Sequence, residues 1–249
     1  MWRFAQAHAT GRAHVKVGLP CQDRIACTVL ADGTFLAAVA DGAGSAAKGE
    51  RGAEIAVRTL IEEVREAASL GRTDLEGVLR QAAARCQKAV VADAMGQGSN
   101  PRDLASTLLA VAIGPDSGAA LQIGDGVIVV SNGGDGWGWV FWPQRGEYAN
   151  TTYFLTDADA MERICVEPFS VRVMDVAMMT DGLEPLVIHY GSRSVHEPFF
   201  NGIFQPLHEE KALGESIHTS ASLETFLASD RVAARTDDDL SLVLATRRS

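Results

Sequence analysis

Ile25-Ala26-Cys27-Thr28-Val29-Leu30 and Phe35-Leu36-Ala37-Ala38-Val39-Ala40 are two short apolar runs separated only by Ala31-Asp32-Gly33-Thr34. Asp-Gly tolerates the positive φ of a tight turn, so the stretch predicts an antiparallel hairpin. The second run then stops abruptly at Asp41-Gly42. Similar runs at 107–113, 119–123, 127–131, 153–155, 171–179 and 240–245 are each bounded by Gly, Asp or Asn and predict further strands. Two long helical patterns are gathered in the middle of the chain. Over 52–68, Ala53, Ala56, Val57, Leu60, Ile61 and Val64 recur at helical spacing; over 73–95, Leu75, Val78, Leu79, Ala82, Cys86 and Val90 do the same. Thr73 and Glu76 have the spacing of a capping box, and a shorter helix is predicted over 223–228. Strands paired in hairpins, with helices grouped rather than alternating with single strands, predict an α+β fold of antiparallel sheets covered by helices.

The remaining stretches are less regular. Residues 131–143, rich in Gly and carrying Trp137, Trp139 and Trp142, predict a decorated hairpin. Residues 184–220 hold prolines and four of the six histidines and read as irregular surface structure. With no internal repeat or low-complexity tail, one domain over 1–249 is the simplest organisation.

Composition narrows the function. At 249 residues the chain can bury a self-sufficient core, and 47% hydrophobic with 22% charged residues is ordinary for a soluble globular protein. The net charge of −10, with no Lys/Arg-rich run, argues against nucleic acid as a partner. Four cysteines without CxxC spacing predict reduced thiols. The start of the chain lacks the apolar stretch of a signal peptide, and no run is long enough to span a membrane. The expectation is a cytoplasmic protein.

The chemistry concentrates where strands end. Three apolar runs finish in Asp-Gly, at Asp41-Gly42, Asp125-Gly126 and Asp181-Gly182, and Asp237-Asp238-Asp239 precedes the last run. Asp is a poor strand former, and Gly after it lets backbone approach closely. If these ends are neighbours, their carboxylates form a pocket that repels itself unless cations neutralise it. Oxygen donors without His or Cys select Mg²⁺ or Mn²⁺ over zinc. As isolated dipeptides, the same pairs would be ordinary turns. Other catalytic signatures fail: GxGxxG is incomplete after Gly42-Ala43-Gly44, and neither a P-loop, a GxSxG elbow nor HExxH is present.

Taken in order, Gly18-Leu19-Pro20-Cys21-Gln22-Asp23, Val39-Ala40-Asp41-Gly42-Ala43-Gly44-Ser45, Gly52-Ala53, Ala105-Ser106-Thr107-Leu108-Leu109-Ala110, Ile123-Gly124-Asp125-Gly126, Met179-Thr180-Asp181-Gly182 and Asp237-Asp238-Asp239-Leu240-Ser241-Leu242-Val243 span nearly the whole chain. This series resembles the metal-dependent PP2C-type (PPM) Ser/Thr protein phosphatases, in particular their bacterial PP2C-like branch. The resemblance implies a four-layer α/β/β/α sandwich with two central antiparallel sheets and a site for two or three Mn²⁺ or Mg²⁺ ions. By motif, Asp41 would bridge two metals, Gly42 would offer its carbonyl, and Asp181 and Asp238 would bind the second ion. Asp23 would sit in the water shell, and Asp125 with Asp181 would hold a third ion.

The implied reaction is hydrolysis of phosphomonoesters on Ser/Thr phosphoproteins by metal-activated water, in a monomer that can work opposite a Ser/Thr kinase. A pseudophosphatase or phosphoprotein-binding module is the alternative. It draws on two departures from the family pattern. Gly18 stands where members commonly carry a phosphate-clasping Arg, and Gly126 replaces the Ser of Gly-Asp-Ser-Arg, whose Arg is also missing. His14 and Lys16 are the nearest substitutes. His14 is the favoured catalytic candidate, since it can both donate to phosphate and pass a proton to the leaving group.

Overall fold

A computed structural model describes residues 1–134, 136–146 and 152–248. From the N-terminus, the elements are β1 (Arg3–Ala9), α1 (Arg12–Val17), β2 (Arg24–Val29), β3 (Phe35–Ala40), α2 (Gly49–Ser69), α3 (Leu75–Gly96), β4 (Leu108–Ile113) and β5 (Gly118–Ile123). Then come β6 (Val127–Ser131), β7 (Gly138–Trp139), α4 (Ala160–Arg163), β8 (Cys165–Pro168), β9 (Asp175–Met179), α5 (Glu184–Val187) and β10 (Ile188–His189). The chain closes with β11 (Ser194–Val195), α6 (Glu197–Glu209), β12 (Gly214–Glu215), α7 (Ile217–Leu227), α8 (Asp230–Ala233) and β13 (Leu240–Thr246). Two main sheets, antiparallel except for the short parallel pairing of β12 with β1, are flanked by helices, as expected for an α+β fold.

The chain divides into two compact units, one of residues 1–21, 127–142 and 171–249, the other of 22–126 and 143–170. In the second unit the sheet order is β2-β3-β4-β5-β8. The β2–β3 hairpin closes as the sequence predicts, with Leu30 N–H donating to the Thr34 carbonyl at 2.8 Å. β3, β4 and β5 are buried along their whole length, which explains continuous apolar runs in place of alternation. The apolar stripe of α2 and Leu79, Ala82 and Cys86 of α3 pack in one core with Leu36, Ala38, Leu108 and Leu121.

In the first unit the sheet order is β12-β1-β13-β9-β6-β7. Its core joins Ala5, Val127, Val129, Ala177, Leu242 and Leu244 to Phe200, Phe204 and Leu207 of α6 and Leu223 and Leu227 of α7. The expected hairpin over 131–143 is present in the pairing of Val129 with Trp139 and Val130 with Gly138; Asp135 lies outside the described residues.

Several expectations are corrected. Residues 184–220 are largely helical: Pro185 and Pro198 sit in first turns, where the missing N–H is not needed, and Phe200, Phe204 and Leu207 face the core. The cap of α3 is Asp74, which accepts the Gly77 N–H at 3.0 Å, so Thr73 is not the capping residue. Residues 153–155 form no strand; Leu155 makes one bond to Ser106, and β8 takes the sheet edge beside β5. The run at 171–179 is a strand only from Asp175, the third predicted helix begins at Ile217, and β1 was not anticipated.

Candidate active site

In the second unit, strand register brings the acids to one edge. β2 and β3 are antiparallel with Arg24 opposite Ala40, so one step further Asp23 lies beside Asp41. β3 and β5 are both antiparallel to β4 and therefore leave the sheet in the same direction, placing Asp41 and Asp125 beyond the same edge. The start of β4 fixes the turn: Asp41 N–H donates to Thr107 Oγ1 at 3.0 Å, and its carbonyl accepts the Thr107 N–H at 2.9 Å. Asp23 is fully buried.

The first unit repeats the arrangement with different residues. Leu242 opposes Met179 in β13–β9, and Ala9 opposes Leu240 in β1–β13. Asp181, Asp238, Asp239 and the loop into α1 therefore lie at one edge. Ser241 N–H donates to Thr180 Oγ1 at 3.0 Å, continuing the ladder past the end of β9. Gly182 comes so near that an added Cβ would lie 2.1 Å from the Asp239 carbonyl oxygen, and a Cβ on Gly42 would lie 2.4 Å from the Gly49 carbonyl carbon. Neither glycine has positive φ. Close backbone approach, not a positive φ, requires glycine after Asp41 and Asp181.

Asp239 organises this edge. Its side chain is 3% exposed; Oδ1 accepts the Gly11 N–H at 2.7 Å, and Oδ2 meets His14 Nδ1 at 2.8 Å. His14 is 16% exposed at its side chain. Asp238 remains exposed as a residue, yet protein packed around its carboxyl and the neighbouring Asp239 charge push its pKa up, against the Asp239 N–H bond and His14.

At the other end of β9 stands Asp175, fully buried and differently served. Its Oδ1 receives Thr246 Oγ1 at 2.7 Å and meets His208 Nε2 at 2.9 Å, while Oδ2 receives Arg248 Nε at 2.6 Å. Burial raises the carboxyl, but these hydrogen bonds outweigh it and hold the pKa below the ordinary value.

Aspartate carboxylates and a glycine carbonyl are hard oxygen donors. A cation nearby would also favour a wholly buried Asp23 and the raised Asp238. The chemistry of the residues thus fits a divalent ion of the Mg²⁺ or Mn²⁺ type. Among the described residues, however, no group of three His, Cys, Asp or Glu is arranged to hold a metal ion.

A family model described as Protein phosphatase 2C matches residues 10–228. The chain belongs to the protein phosphatase 2C family. It is 36% identical over 250 residues to Serine/threonine-protein phosphatase 3 of Escherichia coli K12, covering 98% of each chain. Among solved structures it resembles the catalytic domain of the serine/threonine protein phosphatase PstP in complex with two manganese ions, with TM-score 0.67 and 18% identity over 98% of this chain and 97% of that one. It also resembles a Caenorhabditis elegans sex-determining protein, with TM-score 0.71 and 15% identity, where it spans 98% of its own length and 64% of the other chain. Identities this low speak for the shared PP2C fold.

The structure also accounts for a departure from the PP2C pattern. Gly18 is the C-cap of α1 with φ +74°, a left-handed conformation that disfavours Arg, although nothing lies within 4 Å of a Cβ there. Lys16 is exposed and makes no ion pair among the described residues. Asp239, Gly11 and Thr107 were not singled out from sequence. The triple Asp gives no sign of which member turns inward, and the only hint at Thr107 was its place in a family motif.

Proposed function

We propose that this PP2C-family protein is a metal-dependent phosphoprotein Ser/Thr phosphatase. The carrying observation is that each unit's sheet delivers its motif aspartates to a single edge, with His14 held beside those of the first unit. Asp41, Gly42, Asp125, Asp181 and Asp238 are the residues that would hold two or three Mn²⁺ or Mg²⁺ ions. When bound, such ions supply positive charge to the phosphoryl group and lower the pKa of water toward neutrality. Asp23 would orient water by accepting hydrogen bonds. His14 would bind a phosphate oxygen and protonate the leaving seryl or threonyl oxygen, a role worth about 10²–10⁴ in rate. No covalent intermediate is required. Among the described residues no helix is long and apolar enough to cross a membrane. We place the enzyme in the cytoplasm, as a monomer acting on phosphoproteins opposite a Ser/Thr kinase.

Hydrolysis of p-nitrophenyl phosphate by the purified protein, with and without Mn²⁺, tests this reading. Mn²⁺-dependent turnover is expected. A folded protein inert at all Mn²⁺ concentrations would favour the pseudophosphatase alternative, which the left-handed Gly18 at the missing-Arg position supports. His14→Ala should then lower kcat or raise KM; wild-type kinetics would remove His14 from the mechanism.

A further inference from the structure

We propose that Asp239 is the positioning residue for His14: it holds the imidazole with Nδ1 protonated and directs Nε2 to the leaving-group oxygen. The inference rests on the phosphatase reading above and adds a residue to it. Asp239 is nearly buried, and its two oxygens have separate tasks, Oδ1 accepting the Gly11 N–H at 2.7 Å and Oδ2 facing His14 Nδ1 at 2.8 Å. An ionised carboxylate can only accept hydrogen bonds, so the nitrogen facing it must carry the proton. His14 Nε2 makes no hydrogen bond among the described residues, which leaves it for substrate.

The step balances with His14 in its imidazolium form. As a water oxygen bonds to phosphorus and gives up its proton to solvent, the ester P–O bond breaks; its electron pair goes to the seryl or threonyl oxygen, which takes the Nε2 proton. Neutral imidazole remains with Nδ1–H on Asp239, and Nε2 regains a proton from solvent. Asp239 keeps the ring in register throughout.

The backbone supplies a sharp variant. In Asp239→Asn the amide has one oxygen, and the Gly11 N–H needs it. The NH₂ then faces His14 Nδ1, which must become an acceptor, so the neutral ring switches to its Nε2–H tautomer. Ring ¹⁵N NMR of the purified protein should report Nδ1–H for neutral His14 in the wild type and Nε2–H in Asp239→Asn. An Nε2–H wild type would overturn the proposal, and that measurement stands even if the variant does not fold.

The kinetic arm uses two leaving groups. p-Nitrophenolate departs with little need of a proton, whereas threonine oxygen needs one. Asp239→Asn should therefore lower kcat on a phosphothreonine peptide about a hundredfold, and on p-nitrophenyl phosphate severalfold. In a His14→Ala background the substitution should add little. Equal losses on both substrates, or full additivity with His14→Ala, would reject a positioning role. Inactivity of the wild type on both esters would instead sink the phosphatase reading, with the NMR result still deciding the Asp239–His14 pairing.

Discussion

Asp175 and Asp238 lie toward opposite ends of the β9–β13 pair and have opposite electrostatics. Asp175 is buried, yet its pKa is lowered, because His208, Thr246 and Arg248 all converge on it. Asp238 is exposed as a residue, yet its pKa is raised, because crowding and the adjacent Asp239 act on it and no ion pair among the described residues offsets them. A carboxylate served by its own fold is scaffolding. One placed against another carboxylate at a strand end costs stability until something from outside arrives. The contrast separates the structural end of the sheet from the end assigned to chemistry.

The largest expected effect belongs to the scaffold. Asp175→Ala strands His208 and Arg248 beside a buried gap and should cost about 3 kcal/mol by urea unfolding, as for other broken buried pairs. The folded variant should keep kcat/KM within about twofold, since the change touches no reacting group. A large loss of turnover without loss of stability would erase the distinction between the ends. Asp41→Asn should show the reverse. It should lose at least about a hundredfold in Mn²⁺-dependent rate, or about 2.7 kcal/mol in barrier, with the metal-free protein no less stable than wild type.

A smaller effect concerns the ligand. Mn²⁺ bound only to the folded form should stabilise it by about 1.4 kcal/mol at ten times the Kd, read as a rise in Tm. Asp175→Ala should keep that increment, and a melting curve indifferent to Mn²⁺ would contradict the cation assignment.

The least effect is in the pH dependence of the metal-free protein. Asp175, lowered in the folded state, contributes stability above about pH 4, the unfolded carboxyl value, and loses it as pH falls through its folded pKa. Asp238, raised in the folded state, works the other way: ionisation costs stability and acid relieves it. Chemical denaturation from pH 7 to 3 should therefore fall more steeply for Asp238→Asn than for wild type, and less steeply for Asp175→Ala.

Legibility in the sequence followed burial. β3 to β5 could be read because strands buried on both faces are unbroken apolar runs, and Asp41 stood out as the residue that ends one. β1 was missed because Arg3, Gln6 and His8 interrupt its pattern, though Phe4, Ala5 and Ala7 are buried. α6 was hidden by Pro198 and Pro206, read as breakers although its Phe200, Phe204 and Leu207 have helical spacing. At the site, motif order identified Asp41, Asp181 and Asp238 as candidates, and His14 followed from asking what replaces the missing Arg. Asp239 needed the structure. Its role comes from the close passage of Gly11 past the end of β13, a long-range contact that no local pattern encodes.

The central claim is that the motif aspartates, Asp238 among them, and not Asp175, hold a divalent cation. Calorimetric titration of Mn²⁺ into wild type, Asp175→Ala and Asp238→Asn tests it most directly. The account predicts saturable binding to wild type and to Asp175→Ala with similar Kd, and loss of at least one ion, or at least about tenfold weaker affinity, for Asp238→Asn. Equal binding by wild type and Asp238→Asn, or no binding to any of the three, would contradict it.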